Sequence, residues 1–259
     1  MKSSSDAAAP CTLLPWDTQF FGFPIGRVTA ERVDAAAGAR VLAWCDENAV
    51  RCLYFLCDPN DDDSVSFAEQ SAFHMVDIRI TMTARFHDRP RATTEVKEGA
   101  QRGSAIDPQL VVRKARAEDG SDLVGIAEAN YETTRFSWDK HFDRDKAREL
   151  YRVWIERSVN GWADRTLVVE RAGVALGFVT LHLDGPRARI GLVGIDKDAQ
   201  GRGVGGALIA AALDDVRAHG NDEIEVTTQG RNVAAQALYQ GAGFRASDLR
   251  VWYHRWFAR

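Results

Sequence analysis

Hydrophobic and polar positions along the chain repeat with two periods, and the switches between them predict an alternating series of strands and helices. The run from Leu13 to Val28 is rich in aromatic and turn residues and predicts a strand, a turn and a second strand. Ala35 to Asn48 has helical spacing, Leu53 to Cys57 reads as a short buried strand, and Ser64 to Ser71 as a second helix. From Met75 to Arg85, Val76, Ile78, Ile80 and Met82 interleave with Asp77, Arg79, Thr81 and Thr83, the pattern of a strand with one polar face. Asp77 and Arg79 project on the same side and either meet a ligand together or pair in solvent; the pattern alone favours solvent. Periodicity then fades. Residues 87–108 fill with charge, glycine and proline, so the expected organisation is an N-terminal α/β domain over 1–88, a linker over 89–108 and a second domain over 109–259.

The second domain opens with a strand at Val111 to Lys114, a helix from Ala117 through Ala129, and a helix over Lys146 to Val159. Between them, Tyr131 to Phe142 gathers Arg135, Phe136, Trp138, Lys140 and His141, which is either a pocket wall or a packing cluster. Strands at Thr166 to Glu170, Ala175 to Leu183 and Arg187 to Asp196 are joined by turns so short that they must be antiparallel neighbours. A glycine-opened helix runs to about His219, a strand covers Glu223 to Thr228, a helix Asn232 to Gln240, and Val251 to Trp256 supplies a last strand.

Chemistry concentrates between Arg189 and Leu213. Gly191 and Gly194 interrupt an apolar strand, as glycines do at a bulge or where something approaches the backbone. Gln200, Gly203 and Gly205 then open a helix whose free N–H groups and dipole suit a pyrophosphate. Gly201, Gly203 and Gly206 also satisfy G-x-G-x-x-G, with Glu225 further on, but Asp196 to Gln200 separate strand from glycines, and the preceding strands form a meander rather than a βαβ unit. The P-loop signature is absent from the sequence.

Composition narrows the partners. A net charge of −4 and 45% hydrophobic residues give an ordinary core and no general attraction to nucleic acid or an anionic membrane, which points to a small-molecule or neutral protein partner. The four cysteines, Cys11, Cys45, Cys52 and Cys57, have no metal-ligand spacing, so buried or free thiols and no metal are expected. The start MKSSSDAAAPC lacks an apolar signal segment, and a cytoplasmic protein is expected.

Gln200-Gly201-Arg202-Gly203-Val204-Gly205, followed by Asn232, Ala235, Leu238, Tyr239 and Gly243-Phe244, resembles the GNAT acyltransferase superfamily over roughly Val111 to Arg259. The resemblance implies an α/β (α+β) fold with a mixed, largely antiparallel sheet, beside the smaller N-terminal α/β domain that helps to bind the acceptor. It implies acetyl-CoA as acyl donor, with the pyrophosphate on Gln200, Gly201, Arg202, Gly203, Val204, Gly205 and Gly206, and the pantetheine arm along Leu192, Val193, Gly194 and Ile195. Strand N–H groups there would hold the thioester carbonyl as charge develops on it. A narrower resemblance, through Trp16-Asp17-Thr18-Gln19-Phe20-Phe21-Gly22, the strand entry Ala72 to Asp77, Arg135-Phe136, and Thr228-Gln229-Gly230-Arg231-Asn232 with Tyr239, is to the TDP-fucosamine acetyltransferases. That implies a dTDP-4-amino-4,6-dideoxy sugar as acceptor; another small amine, such as an antibiotic or a biosynthetic intermediate, is the alternative, and a non-catalytic acyl-CoA sensor a third reading.

The resemblance also assigns roles. Tyr239, two helical turns after Asn232, is the candidate acid for the departing thiolate, or else a core aromatic. Asn232 caps its helix and is a candidate contact to the pantetheine. Asp77 would meet the amine as base or anchor, and Arg135 would contact the sugar nucleotide's phosphates or form a surface ion pair. With no cysteine after Cys57, direct attack in a ternary complex is expected rather than a thiol acyl-enzyme. The aromatics Trp252, Tyr253 and Trp256 suggest a covered sheet edge and a homodimer.

Overall fold

A computed structural model describes residues 9–86, 108–130 and 134–258. The chain divides into two compact units, Met1–Arg79 with Leu249–Arg259, and Ile80–Asp248. The division falls inside strands β4 (His74–Arg85) and β10 (Arg245–Trp256). The expected linker over 89–108 lies, apart from Pro108, outside the described residues. Leu249–Arg259 groups with the N-terminal residues because Val251–Trp256 pairs antiparallel with β3 (Cys52–Cys57).

In the smaller unit, β1 (Cys11–Leu13) pairs antiparallel with β2 (Ile25–Val28), and β2 pairs parallel with β3. Helices α2 (Ala35–Glu47) and α3 (Asp62–Gln70) cover one face, where Val41, Cys45, Leu53, Phe55, Phe67 and Tyr253 are buried together. None of the four cysteines is in a disulfide, and all four are buried. The expectation of a strand near the start fails at α1 (Pro15–Phe21). Proline at the first helical position presets φ, Asp17 sits in the first turn, and Trp16 stacks on Phe20 with centroids 5.0 Å apart, a spacing of four that only a helix brings together. Strand β10 is not an edge either: it lies between β3 and β4, so its aromatics do not cover a free margin.

The larger unit has the strand order β10-β4-β9-β8-β7-β6-β5, with β5 (Leu110–Lys114), β6 (Arg165–Arg171), β7 (Val174–Asp184) and β8 (Arg187–Ile195) an antiparallel meander and β9 (Glu223–Gln229) parallel to β8. This is the expected α+β architecture with a mixed, largely antiparallel sheet. Helix α7 (Val204–Ala218) buries Val204, Leu208, Ile209, Ala212, Leu213 and Val216 against one face, among Leu167, Val169, Val179, Leu181 and Ile190. On the other face, α4 (Gly120–Ala129) and α6 (Arg144–Arg157) bury Leu123, Ile126 and Ile155 against Val168 and Phe178. The start of α4 is fixed by Arg113 of β5, which pairs with Asp119 at 2.7 Å and Glu170 at 2.7 Å. Strand β4 departs from its expected polar face, since Asp77 and Thr81 are buried along with Val76 and Met82. Both faces of that strand are covered, so the solvent reading of Asp77 does not hold.

Candidate active site

Two features of the larger unit make the site. The first is a gap beside β8. Its parallel pairing with β9 stops at Ile190 opposite Val226, although β8 runs on to Ile195 and β9 to Gln229. The Asp196 N–H bonds to the Leu176 carbonyl at 2.8 Å, and the register pairs Gly194 with Phe178. By the alternation of an antiparallel ladder, Gly194 therefore bonds back to β7, while the N–H groups of Val193 and Ile195 face the side that β9 has left. The register slips between Val179 and Leu181, so that Gly191 and Leu192 together oppose Thr180 in a β-bulge. Leu192 donates its N–H to Thr180 Oγ1 at 2.8 Å, so this group is used within the chain. Gly194 has a packing reason: a Cβ there would lie 2.6 Å from the Phe178 ring.

The second feature is the start of α7. Gly201 (φ +72°) and Gly203 (φ +81°) both take left-handed backbone, in the turn that leads into the helix. Gly203 is the N-cap, no side chain caps the helix, and no acidic residue occupies its first turn. A Cβ on Gly206 would meet nothing within 4 Å, which leaves the approach to the amides open. Uncapped amides, the helix dipole and bare glycine make a cradle that fits a pyrophosphate. A cavity of about 110 Å³ adjoins the turn, with Arg171, Asp196, Asp198 and Arg202 in its lining.

The two features meet at one place. The Gly205 Cβ position is 3.1 Å from Leu238 of α8 (Val233–Gly241) and 3.9 Å from Ile195, so α7, α8 and the end of β8 converge there. The Ile195 carbonyl accepts from Asn130 Nδ2 at 3.1 Å and from Gln200 Nε2 at 3.3 Å, which ties the strand end to α4 and to the glycine turn. Asn232 caps α8, its side-chain oxygen accepting the Ala235 N–H at 3.1 Å; its Nδ2 has no hydrogen-bond partner among the described residues. Tyr239 is 4% exposed and packs on Phe244, yet its hydroxyl makes no hydrogen bond among the described residues and is not sealed from solvent. Burial pushes its pKa well up, so the phenol is neutral and able to donate.

A profile of the "Acetyltransferase (GNAT) family" matches residues 123–244, which include the glycine turn, Asn232, Tyr239 and the strand with the gap. An acetyltransferase of Sodalis glossinidius is 31% identical over 106 residues, which cover 39% of this chain and 75% of that one. The chain belongs to the GNAT acetyltransferase family. A GNAT N-acetyltransferase structure from Sphaerobacter thermophilus has the same fold, with a TM-score of 0.66 at 14% identity, over 95% of this chain and 76% of that one. A mycothiol acetyltransferase of Clavibacter sepedonicus is 36% identical over 39% of this chain and 34% of its own length. A dTDP-fucosamine acetyltransferase of Escherichia coli is 32% identical over 54% of this chain and 61% of its own length. The matched regions thus span about a third to three fifths of these two relatives.

Of the residues expected from the sequence, Ile195 at the end of β8 meets Gln200 and Gly205 of the turn, and Asn232 and Tyr239 belong to α8 in the same unit. Arg135 lies in the same unit, in α5 (Arg135–Trp138), with its guanidinium 4.2 Å from the Phe136 ring centroid. Next to it Arg231 lies over Trp138 at 4.2 Å, joining α5 to the loop after β9. Asp77 belongs to the smaller unit, where its carboxylate accepts the Ile78 N–H at 2.8 Å. Sequence reasoning missed Asn130, Thr180 and His182. The last is half-buried on β7, opposite Arg189, with Trp162 edge-on at 5.0 Å and the Gly191 Cβ position 2.8 Å from its Nε2. Burial and the charge of Arg189 lower its pKa. Among the described residues no cluster of His, Cys, Asp and Glu is placed to hold a metal ion, and no helix is long and apolar enough to cross a membrane.

Proposed function

We propose that the protein is an acetyl-CoA-dependent N-acetyltransferase acting on a small amine by direct attack in a ternary complex. The observation that carries the reading is the pairing, in one GNAT unit, of an uncapped glycine-opened helix with a strand whose outward amides have no neighbouring strand among the described residues. The amides from Gly203 to Gly206 hold the donor's pyrophosphate, and the strand beside the gap takes the pantetheine arm. The Val193 N–H faces the thioester oxygen and stabilises the negative charge that grows there. Tyr239 supplies a hydrogen bond, and then a proton, to the leaving sulfur. Asn232 Nδ2 remains able to bond to the arm.

The acceptor we favour is a dTDP-4-amino-4,6-dideoxy sugar. Support comes from motifs at both ends of the chain and from the Escherichia coli relative named for dTDP-fucosamine. A second reading, in which the acceptor belongs to mycothiol formation, is favoured by the Clavibacter sepedonicus relative. Thiol release from acetyl-CoA, with and without dTDP-4-amino-4,6-dideoxygalactose, followed by product mass, separates these readings. Sugar-dependent release and a single added acetyl group are expected; a sugar that neither binds nor reacts overturns the acceptor assignment. Tyr239→Phe is expected to lower kcat about 100-fold, within the usual range for a lost general acid, with acetyl-CoA affinity retained. Unchanged kcat in this variant would remove Tyr239 from the mechanism.

A further inference from the structure

We propose that His182 is the proton acceptor for the incoming amine, its imidazole standing over the β7–β8 bulge at a strand position that has no side chain. Three observations place it there. A Cβ on Gly191 would lie 2.8 Å from His182 Nε2 and 2.7 Å from Thr180 Oγ1, so only glycine leaves the ring edge open toward the bulge. Neither ring nitrogen has a hydrogen-bond partner among the described residues, and neither is sealed from solvent. Trp162 contacts the ring edge-on with an interplanar angle of 70°, which holds the imidazole without using its nitrogens. The ring is thus half-buried with both nitrogens left to solvent or a ligand.

The position suits the reaction. Thr180 and His182 are two apart on β7 and project to the face that Phe178 shares with α4 and α6, opposite the face covered by α7. The donor's pyrophosphate is held at the start of α7, and the thioester reaches the gap beside Val193. The amine then arrives from the α4 and α6 face, past Trp162 and His182. His182 takes one proton from the acceptor ammonium at Nε2. The freed nitrogen lone pair bonds to the thioester carbonyl carbon, and the carbon–sulfur bond breaks. The sulfur receives a proton from the Tyr239 hydroxyl, which regains one through water from the same nitrogen. The imidazolium passes its proton to solvent.

Charged groups around the ring set its titration. Arg189 on β8 is its cross-strand partner and opposes protonation, while Asp164, ahead of β6, favours it from a position where its carboxylate accepts the Leu183 N–H at 2.8 Å. Glu225 of β9 is in register with Arg189, one strand further away. Burial and Arg189 prevail, so the imidazole is neutral at neutral pH and ready to accept a proton.

The inference rests on the acetyl-transfer reading and adds to it the residue that handles the acceptor. The test combines three measurements on the full chain. Imidazole NMR of the free protein is expected to show His182 titrating below the usual value of about 6.5; a ring still protonated at neutral pH overturns the proposal. Calorimetry is expected to give His182→Gln and wild type the same acetyl-CoA affinity, which verifies the variant's fold. Thiol release is then followed from about pH 5 to 8, where folded domains tend to be most stable, with dTDP-4-amino-4,6-dideoxygalactose and a primary-amine panel. Wild-type kcat/KM is expected to fall as pH drops through the histidine's titration. His182→Gln is expected to lose that acid limb and about 100-fold in rate, and added imidazole to restore part of the rate to His182→Ala. A wild type that turns over while His182→Gln matches its rate and pH profile overturns the role of His182 alone. A wild type that binds acetyl-CoA yet releases thiol with no amine overturns the transfer reading, and this proposal with it.

Discussion

Helices α6 and α7 begin in opposite ways. At α6, Asp143 caps the end and accepts N–H groups from Asp145 and Lys146, both at 2.9 Å, and Asp145 adds a second acid in the first turn. At α7, the cap is a left-handed glycine, with no side-chain bond and no acid in the first turn. A helix start leaves its first amides unsatisfied, and a chain ordinarily supplies the acceptors itself. Where it supplies none, beside a turn with two left-handed glycines, the fold has left the acceptor to a ligand. Ahead of helix α4, Asp119 accepts the Arg116 N–H at 2.6 Å and is itself held by Arg113, which fixes the turn that leads into the helix without capping the helix's own amides. The closed start of α6 serves stability and the open start of α7 serves binding.

The contrast can be broken from either side. The largest effect is expected at α4: Arg113→Leu strands two carboxylates that are mostly buried and should destabilise the protein by about 3 kcal/mol, read by chemical denaturation. Arg113 holds the Asp119 carboxyl below its ordinary range. That stabilisation is complete above the unfolded carboxylate's pKa and is lost as pH falls through the lower, folded one, so wild type and variant should converge in acid. Next is Gly206→Glu, which has room for its side chain and places a carboxylate where the donor's phosphates bind. Acetyl-CoA affinity should fall about 100-fold, or about 2.7 kcal/mol, while thermal stability holds or rises, because glycine is a poor helix former and an acid suits a helix start. The smallest effect is expected from Asp143→Ala, about 1 kcal/mol of stability by denaturation, with acetyl-CoA affinity unchanged by calorimetry. A fall in affinity there would mean that the two starts do not divide their work.

How much of this was legible depended on distance along the chain. The glycine turn and the capping asparagine were visible because a turn and a cap are local: Gly201, Gly203 and Asn232 act within a few residues of themselves. The meander from β6 to β8 followed from short turns between apolar runs. The start of the chain misled, because Trp16 and Phe20 look like strand residues until their spacing of four is weighed with Pro15. Strand β4 alternated cleanly, yet both its faces are covered, and no single strand records what packs on its polar side. His182 was out of reach for a different reason. Gly191, which leaves its ring edge open, is on the neighbouring strand at a bulge that shifts the register, so neither residue announces the other. The gap beyond Ile190 is likewise a property of two strands diverging.

The most direct test of the central claim is a backbone amide NMR titration of the protein with acetyl-CoA, comparing the starts of α6 and α7. The account expects large shifts at Gly203, Val204, Gly205 and Gly206, together with Val193 beside the gap, and none at Asp145 and Lys146. Binding that leaves the α7 amides unmoved would show that the open helix start is not where the donor is held.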